Sequence, residues 1–187
     1  TLAKLLGDKE SSHMARYALA RLPGNAADIA LIDAMGKVSD DLKIGMVYSL
    51  GRRRCRAAVP SAIKLIDSKN ETLAIAALTA LSRIDSPQAV SAIAKARKSG
   101  SDKIKLAATD AYLTCAKRCS PYDAAKIYTE LLSANEPVMC RIAALNGLVM
   151  STGGPKATAL IIATMADKDP KIRQVAIASL RNVKDPG

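Results

Sequence analysis

The sequence predicts an all-α protein, a right-handed α-solenoid or superhelix of about six helix pairs. Three observations carry this prediction. A short motif of small and large apolar residues returns six times at near-constant spacing, apolar residues within each copy follow helical periodicity, and no stretch alternates as a strand would. The 187-residue chain is 49% apolar and 24% charged, with five Tyr, no Trp and no Phe, so its core has to be aliphatic and rich in alanine.

The motif is a small or apolar residue, two free positions, a small residue and a large apolar one. It reads Ala15-x-x-Ala18-Leu19, Met46-x-x-Ser49-Leu50 and Ala77-x-x-Ala80-Leu81, with a step of 31 residues each time. Ala108-x-x-Ala111-Tyr112 continues it. After a short insertion around Cys119 it resumes as Ala144-x-x-Gly147-Leu148 and Ala176-x-x-Ser179-Leu180.

Each copy marks the second helix of a pair. The first pair spans 2–6 and 10–21, and the second 26–36 and 41–51, where Asp40 and Asp41 suit the positive end of a helix dipole. The third spans 57–67, with the stripe Ala62, Ile63, Leu65 and Ile66, and 71–83, where Leu73, Ala76, Ala77, Ala80, Leu81 and Ile84 fall on one face. Asn70 caps the latter. The fourth spans 87–98 and 102–117, opened by Ser86-Pro87 and Ser101. The fifth spans 121–133, opened by Ser120-Pro121 and striped by Ile127, Leu131 and Leu132, and 137–150. The sixth spans 155–166, after the Gly153-Gly154-Pro155 turn, and 170–183, opened by Asp169-Pro170.

A short helix pair cannot bury its apolar stripe alone, so neighbouring pairs stack and share a core. The expected organisation is a single repeat domain over 1–187, with repeats at 1–24, 25–54, 55–85, 86–119, 120–153 and 154–187.

The segments DSKNETLAIAALTALSRI (67–84) and DSPQAVSAIAKA (85–96) resemble the short HEAT-like repeats also found in relatives of phycobilisome lyases. The resemblance covers nearly the whole chain. It implies an armadillo-like solenoid and leaves function open, because such repeats serve lyases, DNA-repair proteins and scaffolds alike. SSHMARYALARLPG and KIGMVYSLGRRR also resemble HEAT-repeat segments of large exported bacterial proteins. That second resemblance, with a chain that starts at Thr1, implies an exported or periplasmic protein whose leader has been removed.

Charge is uneven. Of 28 basic and 17 acidic residues, 14 basic and 5 acidic fall between Arg52 and Arg118. The candidate binding residues are Arg52, Arg53, Arg54 and Arg56, then Arg97, Lys98, Lys103 and Lys105, forming one basic strip. Arg21, Arg52 and Arg83 add a ladder. Each lies two residues beyond the large apolar member of its motif, so about 200° around the helix from it and away from the core. At about 10 Å apart their mutual repulsion in water is only about 0.4 kcal/mol, so the ladder can exist without a ligand. Basic residues at helix C-termini also meet the negative end of the dipole, which gives this charge a purely structural explanation as well. No aromatic residues interleave the strip.

Catalytic chemistry is hard to assemble from this inventory. His13 is the single histidine, early in a helix and beside polar neighbours. Cys115 and Cys119 share a helix face, but a zinc site lacks its second pair, and sequence alone does not decide whether Cys119 and Cys140 pair. No Walker loop follows the glycines at 153 and 154. The expectation is a scaffold with no enzyme activity, cofactor or metal, which binds a protein partner or a neighbouring domain of a longer chain through its basic centre. The alternatives are a sequence-indifferent nucleic-acid binder using the same residues, and an enzyme related to the lyases or to DNA repair. No apolar run reaches the length of a membrane span.

Overall fold

The computed structural model describes residues 1–133 and 135–182. Among these the chain is all helical, with twelve α-helices and no strand. In order they are α1 (Leu2–Leu5), α2 (Ser12–Arg21), α3 (Ala26–Met35), α4 (Asp40–Arg52), α5 (Val59–Ile66), α6 (Glu71–Leu81), α7 (Pro87–Ser99), α8 (Asp102–Ala116), α9 (Pro121–Leu131), α10 (Val138–Thr152), α11 (Gly154–Thr164) and α12 (Pro170–Ser179). Taken two by two they are the six predicted pairs, and the fold is an α-solenoid. A 3-10 turn, Arg56–Ala58, leads into α5, and another, Leu180–Asn182, follows α12. The predicted helix ends agree with these to within two residues at most termini. Residue 183, the predicted end of the last helix, lies outside the described residues.

Local chemistry places the helix starts as the sequence implies. The side chains of Asn70, Ser86, Ser101, Ser120 and Asp169 accept from the backbone N–H groups of Leu73, Ala89, Ile104, Asp123 and Lys171, at 3.2, 3.4, 3.4, 3.2 and 2.8 Å. Each bond satisfies one of the donors that a helix leaves unpaired at its start.

The chain divides into two compact units, Thr1–Tyr112 and Leu113–Gly187, with the boundary inside α8. In the first unit the second helices pack against one another, α2 on α4 and α4 on α6. Their shared core is aliphatic and includes Leu19, Leu31, Met46, Leu50, Leu73, Ala77 and Ala80. Small residues set the closest approach: a Cβ on Gly51 would stand 2.6 Å from Ala80 Cα. In the second unit Leu145, Val149, Ala157, Ile161 and Ala176 form the core. There Gly147 makes room for the buried Tyr128 ring, whose Cζ would lie 2.3 Å from an added Cβ. No helix among the described residues is long and apolar enough to cross a membrane.

Candidate functional site, an exposed arginine edge

The ten basic residues singled out by sequence do not form one strip. Two belong to the interior. Arg53 follows α4, and its side chain is only 11% exposed. It pairs with Asp28 and donates to the carbonyls of Leu19, Ala20, Leu22 and Gly24 at 3.1, 3.2, 2.7 and 2.6 Å. The guanidinium thus closes the C-terminal end of α2, where carbonyls have no helical partner. Arg97 is 9% exposed, stacked over the Tyr112 ring at 4.9 Å and donating to Thr109 Oγ1 at 3.4 Å. Both are corrected from binding residues to structural ones: their donors are spent inside the fold.

The other eight separate to the two ends of the helices. Glu71, at the start of α6, accepts from Ser101 at 2.8 Å and from Lys103 at 3.2 Å, which hold its carboxyl below its ordinary value of 4.5. Lys98 and Lys105 flank the same turn, and Lys105 stands 3.9 Å from Asp102. Beyond the other end of α6 lie Arg83 and Asp85, and Asp85 accepts from Arg56 at 2.8 Å across repeats. The 11 residues of α6 therefore put roughly 16 Å between the lysines and the arginines.

The arginine end is the better candidate. Arg21, Arg52, Arg54, Arg56 and Arg83 are all exposed. Arg56 is bound to Asp85, both side chains 73% exposed, which is a weak pair in water. Among the described residues Arg52, Arg54 and Arg83 make no ion pair or hydrogen bond through their side chains. Arg54 has φ 54°, the left-handed region. Its N–H donates to Gly51 O at 3.1 Å and the Cys55 N–H to Leu50 O at 3.0 Å, which is the Schellman end of α4 with arginine in the place glycine usually takes. That conformation turns the Arg54 side chain to solvent at a cost on the order of 1 kcal/mol.

Sequence reasoning missed the aromatic part of this edge. Tyr17 and Tyr48, 48% and 37% exposed, each stand one helical turn before an arginine of the ladder. Arg21 lies over the Tyr17 ring, 4.6 Å from its centroid. Both tyrosines sit two residues after the first motif position, at the same 31-residue step as Arg21 and Arg52, so the signal was in the repeat register.

The second unit repeats the interior use of arginine. Arg141, 6% exposed, pairs with Asp167 and donates to Leu132 O at 3.1 Å. Arg173 donates to the carbonyls of Asp167 and Lys168 at 2.8 and 2.9 Å. The Arg141 bond, followed by the Asp169 N–H, holds the Asp167 carboxyl below its ordinary 3.8. None of the four cysteines is held in a disulfide. Cys115 is buried, and desolvation, with Cys119 nearby, pushes its thiol up to about 12.

Comparison with known proteins places this geometry. Residues 29–112 match the family model for HEAT repeats. No curated protein matches the sequence. Among solved structures, a designed armadillo repeat protein in complex with the peptide (KR)4 is similar at a TM-score of 0.53 and 15% identity, over 98% of each chain. Another designed armadillo repeat protein is similar at 0.50 and 15%, again over 98% of each. Human deoxyhypusine hydroxylase in complex with glycerol follows at 0.49 and 15%, over 96% of this chain and 93% of that one. The presence of an enzyme in this set corrects the expectation that the chain lacks enzyme activity: the architecture does not exclude catalysis. That likeness concerns the outline of the fold and assigns no reaction. Residues 29–112 therefore carry HEAT repeats, and the fold along nearly the whole chain is like that of armadillo-type repeat proteins.

Proposed function

We propose that this chain is an interaction scaffold that captures an acidic segment of a partner protein on its arginine edge. The observation that carries the reading is the division of labour among the arginines. Arg53 and Arg97 are consumed by the fold, whereas Arg52, Arg54 and Arg83 stand exposed without a partner among the described residues. Arginine's planar fork of donors suits carboxylates. The lysine end is a poorer receptor, because Glu71 and Asp102 already face Lys103 and Lys105. One structure of similar fold holds a cationic peptide, (KR)4. The exposed edge here is itself cationic and calls for an anionic peptide instead.

The test compares capture of a fluorescent polyglutamate peptide by the native chain and by a variant with Arg21, Arg52, Arg54 and Arg83 changed to glutamine. The variant should bind at least tenfold more weakly at low salt with unchanged helicity, and a polylysine control should bind neither protein. Undiminished capture by the variant defeats the reading. So does tighter binding of duplex DNA than of polyglutamate, with the steep salt dependence expected for phosphate neutralisation.

A further inference from the structure

The arginine edge has a period. Arg21 and Arg52 are the last residues of α2 and α4, and Arg83 lies two residues past α6, so the three share one register position at the ends of three successive second helices, which pack side by side within one compact unit. The approach of Gly51 to Ala80 keeps α4 and α6 near the lower end of the usual interaxial range of about 8 to 10 Å. With α2 also packed on α4, the backbone positions of the rungs step by about 8 to 10 Å.

A bound chain must present carboxylates at that interval. Three residues of extended or polyproline-II backbone cover about 9 to 10 Å, whereas two cover under about 7 Å. A helical peptide advances about 1.5 Å per residue, so only residues six or seven apart would meet successive rungs, and the residues between them would be spread around the helix and mostly away from the edge. The edge also fixes its guanidinium groups in part. Arg21 rests on the Tyr17 ring, whereas Tyr48 shares only the spacing, one turn before Arg52, whose guanidinium is not over its ring. At the third rung Thr79 takes this place, its hydroxyl donating to Ile75 O at 3.0 Å.

We infer that the partner segment is an extended acidic peptide with a carboxylate at every third residue, laid across α2, α4 and α6. This rests on the acidic-partner reading above and adds its register.

The test uses the full chain and two fluorescent peptides of identical composition, each with three glutamates among serine and glycine, spaced either every third or every second residue. A polyglutamate peptide and a single-stranded oligothymidine complete the set. The every-third peptide should bind roughly fivefold tighter, the difference of one or two exposed ion pairs. Arg52→Gln, which removes the middle rung, should erase that preference while leaving helicity intact. Equal affinity for the two isomers overturns the register and leaves the acidic-partner reading standing, provided polyglutamate still binds. Failure of polyglutamate to bind, or tighter capture of oligothymidine, overturns both.

Discussion

Arg53 reaches back 25 positions to Asp28, and its remaining N–H groups close the carbonyl end of α2. Its immediate neighbours Arg52 and Arg54 face solvent with nothing to hold. Three consecutive residues of one type thus do two different jobs. Arg53→Gln should destabilise the protein by about 2 to 4 kcal/mol in urea unfolding, because it strands a part-buried carboxylate and several carbonyls. Arg52→Gln should stay within about 0.5 kcal/mol of the native chain. Similar losses from both would mean that the guanidinium of Arg53 is not structural.

Arg54 offers the reverse trade. Glycine accepts φ 54° without the clash that an L side chain meets, so Arg54→Gly should raise stability by about 0.5 to 1 kcal/mol. The same change should weaken polyglutamate binding. Denaturation midpoints and anisotropy on one variant read both effects, and a fall in stability would contradict the left-handed assignment.

Gly51→Ala should cost about 1 to 3 kcal/mol. The new methyl would meet the Ala80 backbone, which has no rotamer with which to move aside. Gly24→Ala adds a methyl in open space, although at φ 80°, so its cost should come from backbone strain alone. Thermal melts of the two variants compare crowding with strain, and a neutral Gly51→Ala would show that the helices can part.

Acid should weaken the second unit through Asp167. Its folded pKa is depressed, chiefly by the Arg141 hydrogen bond, so the pair's contribution is complete above the ordinary value of 3.8 and disappears as pH falls through the lower folded value. Melting temperature measured from pH 6 down to pH 2 should fall through that window. Asp167→Asn should start lower and show a flatter acid limb; an unchanged limb would count against the pair.

Thiol labelling should be uneven. Cys55, Cys115 and Cys140 are buried, burial raises the Cys55 thiol, and that of Cys115 stands at about 12, so at pH 8 these should react only as the protein opens. Cys119 is half-buried. One thiol per chain should therefore label quickly in native buffer and four in denaturant, as counted by mass spectrometry. Rapid native labelling of Cys115 would contradict its burial.

The helix pairs were legible because their determinants are local and periodic. The spacing of Ala15, Met46 and Ala77, and the cap residues Asn70, Ser86 and Ser120, are each read within one or two turns of chain. The candidate site was legible only in part. The outward direction of Arg21, Arg52 and Arg83 follows from angle along a helix, and the structure has them exposed. Whether Arg53 and Arg97 face solvent depends on Asp28, Gly24, Thr109 and Tyr112, which come near only after pairs of helices have packed. Linear charge counting also joined Arg52 to Lys105, because it takes no account of the chain's reversal between antiparallel helices.

The arginine rungs stand at the carbonyl ends of α2, α4 and α6, so any anion that reaches them also meets the negative poles of three helices. Those poles stabilise the empty receptor and oppose its occupant. Contacts on such a surface should form fast, let go fast and fade as ionic strength rises.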